Sequence, residues 1–231
     1  MTTYYKAIYP DGTSFHDSRF RWLPESGPVE GHMVTHPTAS IIGDHASQYL
    51  SVSVVPTDCS GMWLPLRLLE VEPVGEVVTP EPGRLPNKRA GVAFKIVREL
   101  PATDALGPQG MYVAALIKRS EWFTADDMRR LAVARYDMQE TGWVAALTAA
   151  RGAARDAARN AAWTAVWDAA GKSAVDVTHA LLVRDLITRE HYDALTRPWR
   201  SAIGPIHPDD EDSRRQNPGG GLGPRSSRFS G

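Results

Sequence analysis

Residues 145–176 read AALT-AARG-AARD-AARN-AAWT-AVWD-AAGK-SAVD, eight tetrads in which small residues recur every four positions. Alanine at this density favours a helix and disfavours a strand, so the segment predicts helical structure. A four-residue period advances about 40° per repeat on a helix of 3.6 residues per turn, so the alanine stripe travels round the axis. One straight helix would then offer alanine to different neighbours along its length. Otherwise the segment breaks, and Gly152 and Gly171 are the weak points that the sequence offers, each costing about 1 kcal/mol relative to alanine. Alanine surfaces let backbones approach closely, which suits packing in a bundle or between copies of the chain.

The rest of the chain divides around this segment. With 231 residues it is long enough for one large or two small cores. Up to about Pro101 it is rich in proline, glycine and short β-type runs. Residues 3–9 predict a first strand ended by the Pro10-Asp11-Gly12 turn, and residues 49–55 a second with Leu50, Val52 and Val54 on one face. Residues 67–74 predict a third with Glu70 and Glu72 opposite Leu69 and Val71, and Pro73 confines it to an edge or to its own end. Residues 92–100 predict a fourth, and the proline-rich stretch 79–88 a surface loop.

From residue 108 to 207 the pattern is helical. Residues 111–119 end in basic side chains, which suit a helix C-terminus, and Thr124 reads as the N-cap of a helix running to about Glu140, with Asp126 and Asp127 in its first turn. Gly142 separates that helix from the alanine-rich segment. Residues 174–187 form a further amphipathic stretch, and Thr188 caps a short last helix that Pro198 stops. Residues 208–231 carry almost no apolar side chains and predict disorder. The expectation is an α+β protein: a strand-rich domain over residues 1–105, an alanine-rich helical domain over 108–207, and a loose tail.

A net charge of −1 supplies no electrostatic funnel and speaks against a dedicated nucleic-acid or membrane surface. The one cysteine, Cys59, has no partner for an internal disulfide, and no leader-like segment opens the chain, so a reducing, cytoplasmic setting is expected. Apolar runs fall well short of the roughly 20 residues that cross a bilayer.

Arg151, Arg155 and Arg159 stack at i, i+4 spacing and continue into Trp163 and Trp167, which makes this row the candidate contact surface. Its partner would be another protein or a second copy of the chain. Contact with single-stranded nucleic acid is the weaker alternative, since basic and aromatic side chains together can stack on bases. The simpler reading has the tryptophans anchoring the helix on the strand domain and the arginines pairing with acids such as Asp156.

His32, His36 and His45 precede Cys59, but no CxxC or HExxH accompanies them, and no metal is expected. Cys59 has only Asp58 as a charged neighbour, which opposes thiolate formation. No phosphate-binding loop, GxSxG or dinucleotide fingerprint occurs.

Two resemblances add to these readings. Tyr5-Lys6-Ala7, Leu50-Ser51-Val52-Ser53 and Glu70-Val71-Glu72 resemble the arginine, Ser-Thr-Ser and Glu-x-Glu series of ADP-ribosyltransferases. Lys6 stands where the arginine would be, Val52 replaces the threonine, and the gap to Glu72 is short. The resemblance implies NAD as cofactor, held by Lys6 and by the strand of Ser51 and Ser53, with Glu72, the last glutamate of the pair that begins at Glu70, orienting the acceptor, and it requires a pocket that brings Lys6, Ser51 and Glu72 together. The stretches YKAIYPDGTSF, YLSVSVVPTDCSGM, LLEVEPVGEV, PNKR, KIVRELP, GPQGMYVAALI and LLVRDLITREHYDALTRPW resemble a family found in tailed phages that infect actinobacteria. That likeness extends to about Asp209 and implies a phage product in the host cytoplasm or the virion, with no catalytic residues to carry over. The leading expectation is a non-enzymatic interaction protein, binding through the helical region or the rim from Ser51 to Met62. The NAD-using transferase, or an inactive relative, is the alternative.

Overall fold

A computed structural model describes residues 2–39, 48–59, 61–136 and 142–210. The N-terminal part builds one antiparallel sheet, followed by helices in the C-terminal part, so the chain is α+β. The strands are β1 (Tyr4–Ile8), β2 (Met33–Thr35), β3 (Leu50–Ser53), β4 (Arg67–Pro73), β5 (Val77–Val78), β6 (Lys88–Gly91) and β7 (Ala93–Leu100), in the spatial order β2-β7-β4-β1-β3-β6-β5. The four strands expected from alternation are β1, β3, β4 and β7. The three that alternation missed are β2 and β5, three and two residues long and too short to show a period of two, and β6, whose Lys-Arg-Ala-Gly does not alternate. Two of them, β2 and β5, lie at the sheet's edges, where a short strand offers little template for unwanted pairing. β4 lies inside the sheet, and Pro73 is its last residue.

Alternation along the strands divides the sheet into two buried faces. On one, Tyr4, Ile8, Val52, Leu69, Val71, Phe94 and Ile96 form a cluster with Trp22 and Leu23. The loop after β1 delivers those last two. Asp11 accepts hydrogen bonds from the Thr13 amide and hydroxyl, Gly12 takes a φ of +91°, and the Trp22 amide donates to the Gly12 carbonyl. A side chain on Gly12 would meet Leu23 at 3.0 Å in a backbone conformation that suits glycine. On the other face, Ala7, Leu66 and Leu68 join Cys59, Met62 and the helices in a second cluster.

The helices are α1 (Gly110–Ser120), α2 (Ala125–Tyr136), α3 (Trp143–Asp156), α4 (Asn160–Leu182) and α5 (Arg189–Ala202). Thr124 caps α2 as expected: its hydroxyl accepts the Asp127 amide, and the Asp127 carboxylate accepts the Thr124 amide in return. Residues 137–141, where that helix was expected to end, lie outside the described residues. Thr188 likewise caps α5 by accepting the His191 amide.

Two expectations about helix ends are corrected. The alanine-rich segment breaks neither at Gly152, inside α3, nor at Gly171, inside α4, but at residues 157–159. There the Ala158 amide donates to Arg155 and the Arg159 amide to Ala154, the paired bonds that close a helix through a left-handed residue. That residue is Ala158, at φ 56°. Tertiary contacts hold the break in place. The Thr57 hydroxyl donates to the Ala158 carbonyl at 2.9 Å, and the buried Arg159 guanidinium donates to the Leu182 carbonyl and, through both terminal nitrogens, to Asp185. Nor does Pro198 stop the last helix, since α5 continues to Ala202. Tyr192, Leu195 and Trp199 on its inner face are at most 3% exposed. Their burial, worth about 2 kcal/mol each, outweighs the roughly 3 kcal/mol cost of an internal proline.

Of the expected tail, residues 208–210 belong to the fold. Asp210 is buried and accepts the amides of Ile206 and His207. Residues 211–231 lie outside the described residues.

Candidate functional site

β1 and β4 pair at five consecutive positions, whereas β1 and β3 pair only at Tyr5 and Ser53. Where the second ladder stops, a cleft of about 760 Å³ enters the sheet. Lys6 lines it from β1, Leu50 and Ser51 from β3, Lys88 from β6, and Trp22 with Phe20 from the loop after β1. Tyr49, His36, Pro37 and Thr38 form another wall, and His16, Asp17 and Arg19 reach it from the exposed side. Among the described residues the lining thus carries three cationic side chains, two histidines and three aromatic rings beside one carboxylate, Asp17.

Lys6 is the most unusual member. It is 4% exposed, and its ammonium sits 5.0 Å from the centroid of the Trp22 ring. Burial, with a lesser push from Lys88, lowers its pKa to about 8, against a smaller opposing effect of Cys59. The Cys59 thiol is itself buried and pushed up to about 12, so it remains protonated and supplies no counter-charge at neutral pH. Lys88 lies 5.5 Å from the Tyr49 ring centroid, and burial lowers its pKa as well. The His36 Nδ1 accepts the amides of Ala39 at 2.9 Å and Thr38 at 3.3 Å. That nitrogen is therefore unprotonated, and the ring's proton sits on Nε2.

The residues implied by the transferase resemblance are only partly gathered. Lys6 and Ser51 both line the cleft. Ser53 is buried opposite Tyr5, and its hydroxyl accepts the Val55 amide at 3.3 Å. Lys6 pairs with Leu69, while Glu70 pairs with Tyr5. Since directly paired residues share a face, Lys6 and Glu70 lie on opposite faces of the sheet. Glu72, two residues on, shares Glu70's face, and Glu70 is paired with Arg98 at 2.5 Å. The required meeting of Lys6, Ser51 and Glu72 does not occur.

The arginine and tryptophan row is divided by the break at Ala158. Arg151 and Arg155 stay exposed on α3, and Arg155 pairs with Asp156 at 3.5 Å. Arg159 is 7% exposed and committed to Asp185. Trp163 is buried and stacks on His179 with 3.7 Å between ring centroids. Trp167, 57% exposed, is the one tryptophan of the row that keeps, with Arg151 and Arg155, the surface position that the row implied.

A second concavity, about 460 Å³ and mostly apolar, lies where the 3-10 turn at Ala102–Leu106 meets α1 and α4. Leu64, Leu66, Leu106, Ala114, Ile117 and Ala169 line it, with Lys118 and Glu121. Trp122, 78% exposed, follows Glu121 in the chain.

Among the described residues no three His, Cys, Asp or Glu side chains converge as metal ligands. His45 of the expected histidine group lies outside them. No described helix is long and apolar enough to cross a membrane. No protein-family model, curated protein or solved structure matches the chain significantly.

The sequence reading missed Trp22, Arg19, Tyr49 and Lys88. They come from separate loops and strands, with no shared spacing to signal that they meet. The visible sign was an arginine and a tryptophan, Arg19 and Trp22, in the loop that the Asp11-Gly12 turn opens.

Proposed function

We propose that the protein is a binding protein for a small anionic ligand carrying a planar ring, a class that includes nucleotides and NAD. The observation that carries this reading is the lining of the β1–β3 cleft: Lys6, Arg19 and Lys88 beside Trp22, Phe20 and Tyr49, with Asp17 as the one carboxylate among the described residues. Cationic side chains in a partly desolvated cleft attract phosphate or carboxylate groups more strongly than on an open surface. Aromatic walls accept a base or other flat ring. The volume lies within the range of small-molecule sites.

Titration with NAD, ATP and uncharged adenosine while following the thermal midpoint tests this reading. A ligand at a hundred times its dissociation constant adds about 2.7 kcal/mol, which for a chain of this size raises the midpoint by roughly 5–10 °C. A saturable rise with the anionic nucleotides, weakened by salt and by Arg19→Glu, is expected. No rise at millimolar concentration of either nucleotide refutes it.

A second reading, binding of a host or phage protein or self-association through the helical part, is supported by the apolar concavity beside α1 and by the exposed Trp122 and Trp167. The informative variant is Trp122→Ser with Trp167→Ser, since Trp163 belongs to the interior. Sedimentation that is independent of concentration, and unchanged in that variant, counts against self-association.

A further inference from the structure

We propose that Lys6 is a carbonyl-reactive amine, whose Nζ forms an imine with an aldehyde group on an anionic ligand seated in the β1–β3 cleft. The inference rests on the ligand-binding reading above and adds a chemical class to it.

Three observations support the assignment. First, Lys6 lines the cleft although it is 4% exposed, so the ligand's approach, rather than bulk water, defines the environment of the amine. Second, the groups beside it are a ring face, a protonated thiol and another cation: Trp22, Cys59 and Lys88. Among the described residues it makes no salt bridge and no side-chain hydrogen bond. An ammonium serving only as structural charge would be held by a carboxylate, as the buried Arg159 is held by Asp185. Third, Lys88 and Arg19 line the same cleft and supply positive charge for the ligand's anionic group, leaving Lys6 free to react rather than to neutralise.

Protonation state agrees with this geometry. With its pKa near 8, about a quarter of Lys6 is neutral at pH 7.5, compared with roughly one in a thousand for an ordinary lysine. An arginine at this position could not become the nucleophile, because a guanidinium stays charged. The groups facing the amine from the surrounding elements are Cys59, Lys88 and Tyr49, with His16, Asp17, Arg19 and His36 along the same cleft.

The step balances without an oxidant or reductant. The neutral Nζ attacks the carbonyl carbon to give a carbinolamine. Loss of the former carbonyl oxygen as water then forms the C=N bond.

Pyridoxal 5′-phosphate, a planar aldehyde bearing a phosphate, is the probe. The full chain is incubated with it at micromolar concentration, reduced with borohydride and mapped by peptide mass; the chain has five lysines, 6, 88, 95, 118 and 172, so assignment is unambiguous. Among the lysines one adduct, at Lys6, is expected, formed at least about tenfold faster than at the exposed Lys95 and Lys118. Its rate should rise with pH around a midpoint near 8. Lys6→Met, which keeps the aliphatic stem, should lose that adduct while retaining a cooperative thermal transition. Lys88→Gln should slow labelling yet leave it at Lys6, which keeps the assignment testable if Lys6→Met fails to fold. Labelling spread over the exposed lysines overturns the inference, and so does an unmodified Lys6. If Lys6 is unmodified while NAD or ATP still raises the thermal midpoint, the imine fails and the binding reading survives. If neither probe acts, both fail.

Discussion

Taking the protein from pH 7 to pH 4.5 would force a charge onto His179 when the chain unfolds, but only partly while it is folded. His179 is fully buried in α4. Its Nε2 lies 3.0 Å from the Trp163 carbonyl, so this nitrogen carries the proton and donates. Nδ1 is buried with no hydrogen-bond partner among the described residues. A second proton would therefore leave a charged N–H without an acceptor. Burial lowers the pKa from 6.5 to about 4, aided by the Arg151 guanidinium and partly opposed by the Trp163 carbonyl. Between these values the unfolded chain binds more protons than the folded one, so stability rises with pH through this window and falls on acidification. The contribution is complete above the unfolded pKa, and at pH 4.5 about 2.5 kcal/mol of it is lost.

Urea denaturation at pH 7.0, 6.0, 5.0 and 4.5 measures the effect in wild type and in His179→Gln, whose amide can still donate to the Trp163 carbonyl. Other acids with lowered pKa, such as Asp185, Asp127 and Glu99, add their own loss as pH falls toward their range, and the difference between the two proteins removes that shared part. A wild-type slope exceeding that of the variant by about 2–3 kcal/mol over this span is expected. Parallel curves for the two proteins would refute a buried neutral imidazole.

The break between α3 and α4 makes two further predictions. Ala158→Gly should stabilise the fold by about 0.5–1 kcal/mol, because glycine occupies the left-handed conformation at φ 56° without the penalty of a Cβ; a lower denaturation midpoint would contradict the strain argument. Arg159→Met should cost about 2–4 kcal/mol by leaving the Leu182 carbonyl and Asp185 without their donors, and a loss below 1 kcal/mol in urea denaturation would show that the pair contributes little.

What the sequence determined by itself is local. Alternation in β1, β3, β4 and β7 was legible because each of these strands packs an apolar face against a buried layer. The Thr124 and Thr188 caps were legible because a hydroxyl and the backbone amide that it accepts lie three residues apart. Helix in the alanine-rich segment follows from propensity. Tertiary structure decided the rest. The helix broke at Ala158 rather than at a glycine because Thr57, from 101 residues away, holds the backbone there and Asp185 holds the Arg159 side chain beside it. Pro198 was carried inside α5 because Trp199 and Tyr192 had a core to enter. Glu70 was separated from Lys6 by strand register, which places them on opposite faces although each sits in a strand the sequence foresaw. The cleft is the clearest case: its charge and rings come from segments that share no period, and only the single-pair ladder between β1 and β3 leaves the space in which they meet. Short-range hydrogen bonds and propensities can be read along a chain, whereas desolvation and register depend on what folds against it.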